Sequence, residues 1–175
     1  RNRLRILRES TDNAGELVID VNTVADTDWN ENFRKHFTTF RAAGHVVIKP
    51  TWEEYKREAD DIVIEMDPGM AFGSGVHETT RMCLDLLQKY MRPDASVLDV
   101  GCGSGILGIA ADKLGAGSVL ALDYDGVSVE VVRENARRNN TRVEARRSDL
   151  LQNASKKPYD VILANIIADI IIRLN

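Results

Sequence analysis

The run Val97-Leu98-Asp99-Val100-Gly101-Cys102-Gly103-Ser104-Gly105-Ile106-Leu107 constrains the fold more than any other stretch of the chain. A β-branched, apolar segment meets three alternate glycines, and apolar residues at helical spacing resume at once. That order predicts a strand, a tight turn and a helix N-terminus. Glycine admits positive φ and lets backbone approach a ligand closely. The helix that follows presents unpaired N–H groups and a partial positive charge to an anionic group.

The spacing of the glycines narrows the ligand. A dinucleotide fingerprint has Gly at relative positions 1, 3 and 6; here the third glycine is Gly105, at the fifth place, and Ile106 takes the sixth. The pattern favours S-adenosylmethionine over a nicotinamide cofactor and disfavours an oxidoreductase.

Downstream, strands and helices alternate. Strand 96–100 precedes a helix over 105–114 that Gly115-Ala116-Gly117 ends. Strand 119–122 leads to Asp123 and a helix over 127–139, with Val127, Val131 and Ala136 as inward candidates. Strand 142–147 precedes Asp149, and strand 159–164 runs into Asn165. This is βαβ grammar: an α/β, Rossmann-like domain with a mostly parallel sheet flanked by helices and ligand groups at the carboxyl ends of the strands. Residues 166–174 offer only the start of a helix, so the sheet is expected to lack its C-terminal strands.

Upstream, residues 17–21 predict a strand, and Trp29, Phe33, Phe37 and Phe40 fall on one side of a helix expected over 28–40. His45 to Lys49 reads as a strand stopped by Pro50, and Ile62 to Met66 as another. A glycine-rich loop, Asp67 to His77, then precedes a helix that Thr79 or Thr80 starts and Pro93 ends. Long glycine-rich connections inside a domain usually bind something, and Met70 and Phe72 need something to cover.

Composition excludes several classes. With 175 residues, 43% hydrophobic, 29% charged and a net charge of -4, the chain is that of a globular protein with no membrane span or leader expected. The mildly acidic balance argues against stable nucleic-acid binding as the main activity. Cys83 and Cys102 make no disulfide framework, which fits a cytoplasmic setting. His36, His45 and His77 have no metal-ligand spacing with either cysteine, so no metal is expected.

Four polar residues, Asp99, Asp123, Asp149 and Asn165, fall at the predicted strand ends. Gly101, Gly103 and Gly105 allow close passage of an amino-acid moiety, and helix N–H groups near Ser104 favour its carboxylate. Asp123 follows Gly101 by 22 residues, close to the roughly 20 expected of an acidic ribose acceptor. Asp149 with Leu150 suits an adenine, and Asp99 either accepts backbone N–H groups or balances an ammonium.

The segments Asp67 to Thr80, Val97 to Leu107 and Asn165-Ile166-Ile167-Ala168 together closely resemble the PrmA family of bacterial ribosomal protein methyltransferases. The likeness covers about residues 27–173, including Trp29, Phe33, Phe37 and Pro50-Thr51-Trp52. Ser74 stands where threonine is common, and Ile167 where leucine is usual. The resemblance implies a class I S-adenosylmethionine-dependent methyltransferase that modifies lysine and N-terminal amino groups of large-subunit ribosomal protein eleven, its partner. It implies that Thr80, Gly101, Asp123 and Asn165 contact the cofactor, and that Asn165 and Ile166 stand where related amine methyltransferases position the acceptor nitrogen. It also divides the chain: residues 1–25 as the end of an N-terminal recognition domain, 26–60 as a linker helix and connecting segment, and 61–175 as the methyltransferase domain, incomplete at its C-terminus.

On this reading the side-chain carbonyl of Asn165 orients the acceptor nitrogen, aided by the carbonyl of Ile166. Phe72, Gly73 and His77 are candidate lid residues, with Phe72 excluding water and His77 stabilising the loop or covering the cofactor. Two alternatives stay open: a cofactor-binding protein without transferase activity, and an amine methyltransferase with a different acceptor.

Overall fold

Short runs of branched apolar residues set most of the strands, which pair into two sheets. In the computed structural model, which describes residues 37–67 and 73–172, β1 (Phe40–Ala43), β2 (Val46–Lys49) and β3 (Ile62–Glu65) form one sheet in that order. β1 and β2 are an antiparallel pair with an irregularity between Arg41 and Ala43, whereas β2 and β3 run parallel, Val46 opposite Ile62. Val46, Val47 and Ile48 are all buried, so this strand is continuous rather than alternating in hydrophobicity. The aromatic helix expected over 28–40 does not reach its end: Phe37 is not helical and Phe40 opens β1. The reason is tertiary pairing, since Phe40 lies opposite Ile48 in the sheet and meets Phe37 edge-to-face at 5.8 Å. The strand expected at 17–21, with Trp29 and Phe33, lies outside the described residues.

The second sheet contains β4 (Ser96–Val100), β5 (Ser118–Asp123), β6 (Glu144–Arg147) and β7 (Val161–Ala164) in the order β6-β5-β4-β7, with every pair parallel. Helices α1 (Glu78–Tyr90), α2 (Ile106–Lys113), α3 (Gly126–Arg138) and the short α4 (Ala168–Ile171) complete the described elements. Successive side chains of a strand point to opposite faces, and the core divides accordingly. Val97, Val119 and Ala121 join the cluster that contains Ile109 of α2 and Val132 of α3. Leu98, Val100, Leu120 and Leu122 form a second cluster with Tyr159 and Ala164 packed against it.

The phase of α3 differs from the sequence expectation. Val127 is 45% exposed, and Val131 is only partly buried; the inward face is Ser128, Val129, Val132, Asn135 and Ala136. Two of those five are polar, which disguised the face. Asn135 is tolerated there because its Nδ2 donates to the Ser104 carbonyl at 2.9 Å. Asp125 caps the helix, accepting from Val127 N at 3.0 Å.

Two clamps hold the entry to the glycine-rich loop. Asn139, at the end of α3, accepts from Glu65 N at 2.8 Å and donates to Glu65 O at 2.7 Å, standing in for a strand neighbour. Asp67 accepts from both Thr51 N and Thr51 Oγ1, at 2.8 and 2.9 Å, and from Arg138 at 3.1 Å. Within the loop, the Gly73 carbonyl accepts from Ser104 Oγ at 2.6 Å.

Candidate functional site

The chain runs outward from β4 through β5 to β6, then returns to place β7 on the other side of β4. Ligands bind at such a reversal, outside the carboxyl ends of parallel strands. A cavity of about 840 Å³ opens there. Its walls come from the turn after β4, from Asp123 and Tyr124 after β5, from Ser148 to Leu150 after β6 and from Asn165 to Ile167 after β7.

The glycine turn is left-handed at each alternate position, with φ of 69° at Gly101, 52° at Gly103 and 81° at Gly105. The three do different work. A methyl group on Gly101 would overlap Ile166 Cγ2, so this glycine lets the β7 end close over the turn. Gly103 N donates to Asp123 Oδ2 at 2.9 Å, tying the turn to the end of β5. Gly105 is the N-cap of α2, and a methyl group there would sit 2.9 Å from Val132 Cγ1. Ser104 does not cap α2, because its hydroxyl is committed to Gly73.

Asp99 is 1% exposed and its Oδ2 accepts from Gly108 N in the first turn of α2 at 3.0 Å. Burial pushes its carboxyl up to about 7; the Gly108 bond opposes that shift and the neighbouring Asp123 adds to it. Burial likewise raises the Cys102 thiol, in the same wall. Asp123 accepts through its second oxygen from Asp125 N at 2.9 Å, so its carboxylate is aimed from two sides. Leu150 has φ of 48°, a left-handed conformation that costs a branched side chain about 1–2 kcal/mol. Ser148 holds it: its hydroxyl donates to the Leu150 carbonyl at 2.9 Å and accepts from Asn153 N at 3.0 Å. Strain held in place by neighbours at a cavity wall is a functional signature.

Thr80, Asp99, Gly101, Gly103 and Asp123 line this cavity. So do Asp149, Asn165 and Ile166, and from the loop Gly73 and His77. Gly105 does not line it, and Phe72 lies outside the described residues. His77 is the N-cap of α1, where Nδ1 accepts from Thr79 N at 3.3 Å, so the helix starts one residue before the earlier of its two expected start positions. Sequence reasoning missed Tyr124, whose ring lies under the Arg147 guanidinium at 5.5 Å. Its place directly after the strand-terminal Asp123 was the available signal.

Three carboxylates, Asp99, Asp123 and Asp149, line the cavity, and no lysine or arginine does so among the described residues. A phosphate-rich nucleotide would meet no side-chain cation here, whereas a ligand carrying positive charge, an adenine face and ribose hydroxyls meets acids and apolar walls. The family model described as ribosomal protein L11 methyltransferase (PrmA) matches residues 2–175.

The chain belongs to the ribosomal protein L11 methyltransferase family. It is 51% identical over 166 residues to the ribosomal protein L11 methyltransferase of Ruminiclostridium cellulolyticum, covering 93% of this chain and 52% of that protein. With the Caldicellulosiruptor saccharolyticus protein of the same name it shares 49% over 162 residues, 93% of this chain and 53% of the other. The chain thus spans about half the length of these curated relatives. Among solved structures, a ribosomal protein L11 methylase from Lactobacillus delbrueckii subsp. bulgaricus superposes with a TM-score of 0.72 at 38% identity, covering 79% of this chain and 71% of that one. A 16S rRNA N2 G1207 methyltransferase from T. thermophilus, solved with AdoMet and guanosine, gives 0.50 at 26%, covering 55% and 28%. The fold of this family member is that of class I S-adenosylmethionine-dependent methyltransferases, an α/β arrangement of parallel sheet and flanking helices. Among the described residues there is no group of three or more His, Cys, Asp or Glu that could hold a metal, and no helix long and apolar enough to cross a membrane.

Proposed function

We propose that this chain carries the S-adenosylmethionine site of a cytoplasmic protein methyltransferase that modifies lysine and N-terminal amino groups of large-subunit ribosomal protein eleven. The observation that carries the reading is the convergence of Asp99, Asp123, Asp149, Thr80 and Asn165 on one cavity beside the glycine turn. Family membership supports this choice of acceptor. In this reading Asp123 takes the ribose hydroxyls, and Asp149 with Leu150 and Tyr124 bounds the adenine. The backbone at Gly101 and Gly103 passes close to the amino-acid moiety, whose ammonium Asp99 balances.

S-adenosylmethionine supplies, when bound, a methyl group on a positively charged sulfur. The chain's own work is binding, alignment and water exclusion. A lysine has a reference pKa near ~10.4 and arrives mostly protonated, so the acceptor must lose its proton to water before attack. Burial against Ile166 and Ile167 favours the neutral amine. The Asn165 side-chain carbonyl and the Ile166 carbonyl then accept its remaining N–H groups and aim the lone pair. The aim that Asn165 and Ile166 give the acceptor nitrogen toward the electrophilic methyl group of bound S-adenosylmethionine supplies much of the rate.

The test is transfer of tritium from methyl-labelled S-adenosylmethionine to purified ribosomal protein L11, with calorimetry of cofactor binding alongside. Labelled lysine and N-terminal residues are the expected products. Cofactor binding without label in the protein would replace this reading with a binding function, and label in ribosomal RNA would replace the acceptor.

A further inference from the structure

We propose that Thr80 is a positioning residue, whose hydroxyl accepts the Asn165 amide N–H and so fixes the Asn165 carbonyl oxygen as the acceptor that the cavity presents. The two residues are far apart in sequence, one in the first turn of α1 and the other just after β7, yet Asn165 Nδ2 lies 3.2 Å from Thr80 Oγ1. Both line the cavity, and Thr80 is only 1% exposed.

An amide has a donor end and an acceptor end, and a threonine hydroxyl can meet either. Here the donor end is occupied by Thr80, and no described residue donates to Asn165 Oδ1. The cavity therefore meets a carbonyl oxygen, which selects N–H groups and rejects ligands that bring only acceptors. Thr80 itself is held firmly. Its backbone N–H donates to the His77 carbonyl at 3.0 Å, and the His77 ring caps the same turn through Thr79. The register of α1 is thereby transmitted to the orientation of one amide at the end of β7. This inference rests on the proposed function for the identity of the incoming group, an amine, but its structural step does not.

The test uses the whole chain labelled with nitrogen-15, with the Asn165 side-chain signals assigned by their loss in Asn165→Asp. In the wild type and Thr80→Ser, one Asn165 amide proton is expected downfield and slowed in exchange; in Thr80→Val both should move to free-amide positions. In parallel, Thr80→Val should lower methyl transfer at saturating cofactor by about tenfold, the worth of one hydrogen bond, beyond whatever cofactor affinity is lost, with Thr80→Ser restoring the rate. Free-amide signals in the wild type, or signals unmoved by Thr80→Val, overturn the proposal, as does a rate loss matched by an equal loss of cofactor affinity. Should Thr80→Val fail to fold, the wild-type and Thr80→Ser spectra decide. If the chain takes up no S-adenosylmethionine, the proposed function fails while the spectra still answer for Thr80.

Discussion

Asp99 Oδ2 accepts the backbone N–H of Gly108 across 3.0 Å, joining β4 to the first turn of α2. A helix start leaves its first N–H groups without intrahelical acceptors, and Gly105, the N-cap, has no side chain to offer. Asp99 serves as the cap from a neighbouring strand while also forming the cavity floor. Burial raises its carboxyl from 3.8 to about 7. Between those values the folded chain holds a proton that the unfolded chain has lost, so stability falls as pH rises through that window. At about 1.4 kcal/mol per pKa unit, the full span is roughly 4 kcal/mol. Thermal unfolding of the ligand-free chain should therefore move to lower temperature as pH rises from about 4 to about 7 and level off above that. Asp99→Asn keeps an acceptor for Gly108 N and should flatten the profile; an unchanged slope would assign the pH dependence to another group.

Gly101 and Ile166 make a second pairing that mutation can probe. The turn is left-handed at Gly101, and any side chain there would run into Ile166. Gly101→Ala should cost about 1–2 kcal/mol through φ alone and push the Asn165-Ile166 segment off the turn. Calorimetry should then show S-adenosylmethionine affinity reduced by more than about tenfold, since about 1.4 kcal/mol of lost contact suffices.

The parallel sheet was legible because Val97-Leu98-Asp99-Val100 and Val119-Leu120-Ala121-Leu122 are buried on both faces and glycine turns bound them. The cavity acids were legible for the same reason: a parallel sheet sends every strand end to one side, whatever the sequence distance. What stayed hidden depends on partners remote in sequence. Phe40 reads as the fourth ring of a helical stripe until Ile48 claims it for a sheet. Asn135 and Ser128, not among the inward candidates of α3, both face inward, where the Ser104 carbonyl stands opposite Asn135. Local periodicity reports where a side chain can point, and only tertiary contact decides whether a polar one is satisfied there.

Leu150 separates stability from binding. Its left-handed φ of 48° is held by Ser148, and its side chain forms part of the cavity wall. Leu150→Gly removes the backbone strain at the cost of chain entropy, two terms of about 1 kcal/mol each and opposite sign. Denaturant unfolding should thus change by less than about 1 kcal/mol. Cofactor affinity should fall about tenfold, as an apolar wall is lost. A large loss of stability with binding intact would show that Leu150 is held for packing instead.

Gly105 and Gly101 share left-handed geometry, yet only Gly101 lines the cavity. At Gly105 an added methyl group would lie 2.9 Å from Val132 Cγ1, where α2 meets α3. Gly105→Ala is therefore expected to destabilise the chain by about 2–3 kcal/mol, from φ strain and overpacking together. Val132 is fully buried, and Val132→Ala alone should cost a further ~2 kcal/mol as a cavity. Together the two changes should cost at least ~1 kcal/mol less than their separate effects added, because the space vacated by one accepts the methyl group of the other. Strict additivity in denaturant unfolding would mean that φ, and not the α3 contact, requires glycine at this position.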